Sequence, residues 1–290
     1  MPRNNIDFST LKSQIDQMSH RGPKKAAADP RFYDLTFPEG ESRATAIIRF
    51  LPPKIGEPNF FVGVKSHWFK YSTPEGTKTF FELCPKTIGH KCPVCDYAFT
   101  HKEDKGKMPS EAYTTNILVI KDPAKPENEG KVFLFRFKRD VWKKVQQAIS
   151  PEDDIDQPMN IFDLESAPNL KLVGTKRTVP GFSKPVIRYD ESSWTQPTAI
   201  TIKGEKMSEE FLDSINDKVY SLEEFVSPDK FKSFEELQGK FDLAMNTLSE
   251  VPAEDVEPAE HIEVESPKET DSNKFVKGQD TVGANFFDDL

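Results

Sequence analysis

Hydrophobic residues of this chain gather in short runs separated by prolines, glycines and charged residues, a pattern that predicts β-strands. In residues 131–137 three phenylalanines occupy every second position, so one face of that strand is a row of rings. The apolar run at residues 60–69 is followed by Pro74, Glu75 and Gly76, which predict a hairpin returning through residues 80–83. Further strands are predicted at residues 43–51, 116–120 and 170–173.

Other segments follow helical periodicity. Residues 140–149 place Val141, Trp142, Val145 and Ile149 on one face, and residues 209–219, 222–226 and 231–248 also predict helices. Residues 4–18 predict a short amphipathic helix. From Val251 onward the composition is acidic and rich in proline, which predicts a disordered tail. A basic, aromatic loop is predicted over residues 174–190.

Charge is distributed unevenly along the 290 residues. Residues 1–150 carry 25 basic and 17 acidic side chains, whereas residues 250–290 carry 3 basic and 12 acidic ones. A basic first part predicts an anionic partner, and an acidic end could compete with that partner. No apolar run approaches a membrane span, and no signal peptide is recognised at the N-terminus, so we expect no membrane partner and a cytosolic setting.

The three cysteines of the chain lie close together in sequence. Cys84 precedes the pair Cys92 and Cys95, which is most of a tetrahedral zinc site. The alternatives are free core cysteines or a redox pair, but the surrounding proline-bounded loop is unlike a thioredoxin-type motif. The fourth ligand should be a histidine, and spacing alone leaves His67 and His101 equally suitable. A site closed by four ligands is structural, so we expect one Zn²⁺ that holds a loop-rich insertion.

Aromatic and basic side chains accompany the predicted strands, as expected of a groove for single-stranded nucleic acid. Tyr113 and Tyr189 are favoured because each is predicted to lie in a polar loop. The candidate rings are Tyr97, Tyr113, Phe135, Phe182 and Tyr189, and the candidate phosphate partners are Arg49, Lys65, Lys121, Arg136, Lys138, Arg139 and Arg188. Sequence signatures of nucleotide-binding loops and hydrolase centres are missing, so we do not expect an enzyme.

Several motifs in the same order resemble the helix-destabilising single-stranded DNA-binding protein of T4-type phages, the gene-32-protein family. They are Ile48-Arg49-Phe50-Leu51-Pro52, His67 with Cys84 and Cys92-Pro93-Val94-Cys95, Asn116-Ile117-Leu118-Val119, the segment from Pro126 to Phe133, Gly181-Phe182-Ser183 and the segment from Asp229 to Leu237. The resemblance implies a mainly β fold with α-helices: an OB-like β-barrel core, an inserted zinc subdomain, a helical C-terminal part and a disordered acidic tail. It selects His67 as the fourth zinc ligand.

The resemblance also implies a division of labour along the chain. Residues 1–21 would mediate cooperative self-association, residues 22–250 would bind single-stranded DNA, with the zinc subdomain at about residues 60–112, and residues 251–290 would contact phage replication and recombination proteins. DNA-stacking rings are expected at Tyr113, Phe135, Phe182 and Tyr189, and groove cations at Arg49 and Arg136. Its setting would be the cytoplasm of the infected bacterial host.

The expected function is therefore non-sequence-specific, cooperative coating of single-stranded DNA in phage replication, recombination and repair. A zinc-ribbon protein that reads duplex DNA or acts in transcription is the alternative, and it needs a base-reading helix after the cysteine pair. A zinc hydrolase would instead need an open coordination position and a carboxylate base.

Overall fold

The computed structural model describes residues 29–152, 155–179 and 184–249. A long strand, Ser110–Lys121, lies at the centre of its main sheet. All of the described residues belong to one compact unit. The predicted helix at residues 4–18, Phe182 and the tail at residues 251–290 lie outside the described residues. The strands are β1 (Arg43–Phe50), β2 (Val62–Thr73), β3 (Gly76–Leu83), β4 (Ser110–Lys121), β5 (Val132–Phe137), β6 (Leu170–Arg177), β7 (Val186–Arg188), β8 (Ser193–Trp194), β9 (Thr201–Ile202) and β10 (Glu205–Lys206).

Among the described residues the α-helices are fewer than the strands. They are α1 (Pro93–Thr100), α2 (Arg139–Ile149), α3 (Glu209–Lys218) and α4 (Phe234–Ser249), with short 3₁₀ turns between them. α2, α3 and α4 confirm the helical periodicity, whereas residues 223–225 form only a 3₁₀ turn. Within the described residues no helix is long and apolar enough to cross a membrane.

Eight of the strands form one antiparallel sheet in the order β3-β2-β4-β1-β6-β7. β4 also pairs with β5, and β6 also pairs with β8. The mainly β fold with helices is confirmed, but pairing among the described strands does not close this sheet into a barrel. β4 begins six residues before the predicted strand because its first part pairs with β2 and its last part pairs with β1.

The main core lies on one side of the sheet, where alternate side chains of β1, β4, β5 and β6 meet α2. Ile48 and Phe50 of β1 and Val141 of α2 are fully buried there. On the opposite side of β4, Leu118 and Ile120 pack with Ile215 of α3 in a second cluster. Alternation along β4 therefore separates the two cores.

The predicted loop at residues 174–190 is partly regular. β6 continues to Arg177, and β7 pairs with it over Thr175, Lys176 and Arg177. The end of β6 and all of β7 were missed because Lys176, Arg177 and Arg188 interrupt the apolar pattern, and these side chains are exposed. β7 is the edge strand on this side of the sheet.

Candidate metal centre and nucleic-acid interface

The four predicted metal ligands meet at one buried point. The hairpin of β2 and β3 places His67 opposite Glu82, and the backbone amide of Cys84 extends the ladder by donating to the carbonyl of Lys65 at 2.8 Å. Cys92 is the residue before α1, and Pro93 occupies the first helical position, where its missing amide hydrogen costs nothing. Cys95 then lies one helical turn further and faces the same point.

The donor atoms have the spacing of a tetrahedral site. The sulfur atoms of Cys84 and Cys95 are 3.4 Å apart, and Nε2 of His67 lies 3.3 Å from the sulfur of Cys92 and 3.5 Å from that of Cys95. A zinc ion with ordinary bond lengths separates its ligands by about 3.8 Å between sulfurs and about 3.6 Å between sulfur and nitrogen. All four donor atoms lie within 4.8 Å of one another, so the residues can hold a metal ion.

A second contact orients the imidazole. Nδ1 of His67 lies 2.9 Å from the carbonyl oxygen of Lys107 and donates to it, which directs Nε2 at the sulfurs. Burial disfavours the charged ring, but hydrogen bonds with Cys84 and Cys92 outweigh it and raise the pKa of His67 to about 9. Only the neutral ring can bind a metal through Nε2, so a cation at this point would compete with a proton. His101 is exposed and stacks on Tyr97, away from the sulfurs, so it does not belong to the cluster.

Helix α4 covers the cysteine cluster. Leu237, Phe241 and Ala244 are buried against the cysteines and against the stacked rings of Phe69 and Phe80, whose centroids are 4.6 Å apart. Lys232 and Lys240 both bind the carboxylate of the half-buried Glu82. Although burial opposes its ionisation, the two lysines lower the pKa of the Glu82 carboxyl. The hairpin, α1 and α4 thus form one packed unit around the candidate metal centre.

Two of the predicted DNA-contacting residues are buried. Phe135 is 2% exposed because the alternation of β5 turns its phenylalanines into the main core. Arg49 is 0% exposed, and its guanidinium donates to Oδ1 of Asn169 at 2.8 Å and to the carbonyl of Thr198 at 2.7 Å. Burial lowers the pKa of Arg49 to about 10. The structure thus assigns Phe135 to the core and Arg49 to an internal link between loops, rather than to a DNA-facing surface.

The favoured tyrosines lie at the margin of the same core. The ring of Tyr113 stacks on Trp142 with centroids 4.0 Å apart, and its hydroxyl donates to Glu111 at 2.8 Å. Burial, together with Glu111, raises the pKa of Tyr113. Tyr189 packs edge-on against Phe135, and burial raises its pKa to about 12. Tyr113 is a strand residue, not the loop residue that its polar neighbours indicated.

The remaining predicted contacts are scattered. Tyr97 lies on α1 and packs against Phe241 of α4, so it belongs to the cysteine unit. Arg188 is exposed on β7 and donates to the carboxylate of Asp140 at 3.0 Å. Arg136 alternates with the buried phenylalanines of β5, faces outward and lies over the ring of Phe32 at 4.4 Å. These three side chains do not share one surface.

Arg136 instead opens onto a cleft that sequence reasoning did not identify. The cleft has a volume of about 750 Å³ and crosses the outer face of β3, β2, β4 and β5. It is lined by Arg31, Val64, Ser66, Trp68, Phe81, Leu83, Met108, Ser110, Ala112, Thr114, Arg136, Lys138, Glu224, Phe225 and Lys230. The signal in the sequence is period-two alternation: Val64, Ser66 and Trp68 share the face opposite to His67.

The cleft is basic. Arg31 is paired with Asp29 at 2.7 Å and with Glu224 at 2.6 Å. Among the described residues, no carboxylate forms an ion pair with Arg136, Lys138 or Lys230, all of which are exposed. Asp29 and Asp34 lie near enough to act on the charge of Arg136, and Asp229 acts on that of Lys230, but neither cation is held in a direct ion pair. The cleft therefore offers three exposed cations to an anionic ligand.

A basic cleft on an exposed sheet face is suited to a polyanion. Comparison with known proteins identifies the family. Residues 42–245 match the family described as gp32 DNA binding protein like, so the chain belongs to this family of DNA-binding proteins. The match confirms the resemblance seen in the sequence. The chain is similar to the single-stranded DNA-binding protein of Enterobacteria phage T2, with 37% identity over 215 residues, which is 70% of this chain and 67% of that protein.

The single-stranded DNA-binding protein of Enterobacteria phage T4 is a second relative. It is also 37% identical, over 213 residues, or 70% of this chain and 66% of that protein. The similarity thus spans about two thirds of the length of each relative.

Proposed function

We propose that this chain binds single-stranded DNA without sequence preference and that the cleft beside Arg136 is the main binding surface. The observation that carries the proposal is the set of three exposed cations, Arg136, Lys138 and Lys230, that line an open sheet face and form no direct ion pair among the described residues. The names of both relatives support the choice of ligand. A single strand offers a flexible phosphate backbone and unstacked bases, and both can enter a cleft of this size.

The mechanism is thermodynamic and requires no bond-making step, so the protein is not an enzyme. Binding to the open strand but not to the duplex shifts the melting equilibrium by mass action. Lys138 and Arg136 release condensed counterions from the phosphates, so affinity falls as the salt concentration rises. Tyr113, Tyr189 and Arg188, which do not line the cleft, and Phe182 are proposed as further DNA contacts. Arg49 and Phe135 are buried and support the binding surface from inside the protein.

The fold and metal assignments are part of the same proposal. The sheet around one core corresponds to an OB-like barrel, supported by the shared packing of β1, β4, β5 and β6. The metal is one Zn²⁺, supported by the three-sulfur, one-imidazole donor set at tetrahedral spacing. Four protein ligands leave no open position, so the ion fixes the hairpin of β2 and β3 and takes no part in chemistry.

The domain organisation follows the family. Residues 1–21 mediate cooperative self-association along DNA, residues 22–250 form the binding core with a zinc subdomain at about 60–112, and residues 251–290 form an acidic tail. The tail competes for the basic cleft and recruits phage replication and recombination proteins. The protein thereby serves replication, recombination and repair in the cytoplasm of the infected bacterial host.

The test compares fluorescence-anisotropy titrations of poly(dT) and of duplex DNA of equal length over a salt series. We expect strong preference for poly(dT), and chelation should lower stability more than it lowers the affinity of the folded protein. Arg136→Ala and Lys138→Ala should each weaken binding and reduce the salt slope by about 0.7. Lys171→Ala, an exposed lysine of β6 outside the cleft, is the matched control.

Equal or tighter binding to the duplex would refute the proposal and favour a duplex-reading zinc-ribbon protein. The structure gives little support to a zinc-ribbon protein that reads duplex DNA. α1, the helix that begins at the cysteine pair, exposes Asp96, Phe99 and Thr100 and buries Val94 and Ala98. It presents no basic side chain to a phosphate backbone.

A further inference from the structure

Two large aromatic side chains lie directly opposite each other on the hairpin of β2 and β3. Trp68 pairs with Phe81 in the antiparallel register, so both rings project from the same face. Trp68 is 45% exposed and Phe81 is 58% exposed. Both line the basic cleft, where they form its edge on the β3 side.

The opposite face of the hairpin is firmly packed. His67, next to Trp68 in sequence, points to the cysteine cluster, and the stacked rings of Phe69 and Phe80 are covered by α4. Alternation along both strands thus places a packed layer directly behind the exposed pair. The two exposed rings therefore stand on a rigid support, which reduces the conformational entropy lost when a ligand binds to them.

The exposed pair is continuous with the cations of the cleft. In the sheet register Ser66 pairs with Ser110, Val64 pairs with Ala112, and Thr114 pairs with Arg136 of β5. The side chains that lie between the ring pair and Arg136 are small. Val62 of β2 pairs with Thr114, so the Arg136 end of the path lies six residues along β2 from Trp68. At about 3.3 Å per residue, this distance is roughly 20 Å. A strand of several nucleotides can lie along this path with its phosphates near Arg136 and Lys138.

We propose that Trp68 and Phe81 form a stacking platform for two bases at the β3 end of the cleft, and that single-stranded DNA is the occupant. The inference rests on the proposed function and adds a base-binding subsite to it. Charge complementarity selects the ligand, because exposed rings beside exposed cations suit a polyanion that also carries unpaired π-faces. A duplex keeps its bases stacked internally and cannot use the platform.

The experiment must separate stacking from packing, because a cross-strand aromatic pair also stabilises a hairpin. Trp68→Ala and Phe81→Ala should each weaken poly(dT) binding by about 5- to 150-fold, the effect of losing one base stack. The slope of affinity against salt should stay unchanged, since no phosphate contact is lost. Trp68→Phe should restore most of the affinity. Phe99→Ala, which removes an exposed ring from α1 outside the cleft, should leave affinity unchanged.

Tryptophan fluorescence gives a second readout that does not depend on the alanine variants folding. The chain has three tryptophans, and stacking of a base on Trp68 should quench its emission. Poly(dT) should therefore quench the wild-type protein, and Trp68→Phe should lose that quenching while it still binds.

The outcomes distinguish the platform from the proposed function. If the wild-type protein prefers poly(dT) but Trp68→Ala and Phe81→Ala bind as tightly, the platform is refuted and the proposed function stands. Undiminished quenching in Trp68→Phe refutes the platform in the same way. If the wild-type protein shows no preference for poly(dT), both proposals fail.

Discussion

The packing of α4 on the cysteine unit can be tested by the substitution Phe241→Ala. Phe241 is 3% exposed, and its ring centroid lies 6.2 Å from that of Phe69, 6.1 Å from that of Phe80 and 5.1 Å from that of Tyr97. Three edge-on contacts with other rings make it the central side chain of this small core. Removing it leaves a cavity that the stacked rings of the hairpin cannot fill without losing their own contact.

Truncation of a buried phenylalanine to alanine costs about 3–5 kcal/mol. Because each kcal/mol shifts the melting temperature of a domain of this size by about 2–4 °C, Tm should fall by roughly 6–20 °C. Urea unfolding followed by circular dichroism measures the loss of free energy. Hydrogen exchange should also show faster opening of amides in β2 and β3, since α4 covers that hairpin.

Leu243→Ala is the matched control, because Leu243 lies on the same helix and is 67% exposed. Its effect should stay within about 0.5 kcal/mol. A loss below about 1 kcal/mol for Phe241→Ala would show that α4 does not stabilise the cysteine unit. Equal losses for both variants would show that helix propensity, not the aromatic contacts, determines the effect.

Three further predictions concern the metal, the tail and the tyrosines. Cys92→Ser should abolish bound metal, measured by mass spectrometry of the native protein, and lower Tm while the folded protein still binds poly(dT); one metal ion per chain in the variant would refute the ligand assignment. Deletion of residues 251–290 should strengthen DNA binding most at low salt, and unchanged affinity across a salt series would contradict competition by the tail. Tyr113→Ala should lower both poly(dT) affinity and Tm, because the ring stacks on Trp142. An unchanged Tm would contradict that packing. Tyr189→Ala should also weaken poly(dT) binding.

The metal cluster was the most predictable part of the site. The spacing of the three cysteines predicted the cluster, and the turn at residues 74–76 predicted the hairpin that brings His67 beside Cys84. Spacing could not choose between His67 and His101, because the choice depends on which side chain faces inward. The resemblance made that choice, and the geometry agrees with it.

The binding surface was harder to predict, because alternation shows that two faces exist but not which of them is covered. The phenylalanine row of β5 was recognised and part of it was expected in the core, but the sequence could not tell which rings turn inward; the fold turns the row inward and leaves Arg136 outside. Arg49 is a charged residue in an apolar run, and its internal partners come from loops about 110 to 150 positions away in sequence. Trp68 resembled any strand aromatic until the packing of its neighbours was known.

The position of α4 over the buried sulfurs has a consequence for exchange kinetics. Because Cys84, Cys92 and Cys95 are all 0% exposed, a chelator cannot reach them until the helix moves away. Metal release should then be first order and independent of chelator concentration once the chelator is in excess. Phe241→Ala should accelerate metal release, so the lifetime of the bound ion would measure how often α4 moves away from the cysteines.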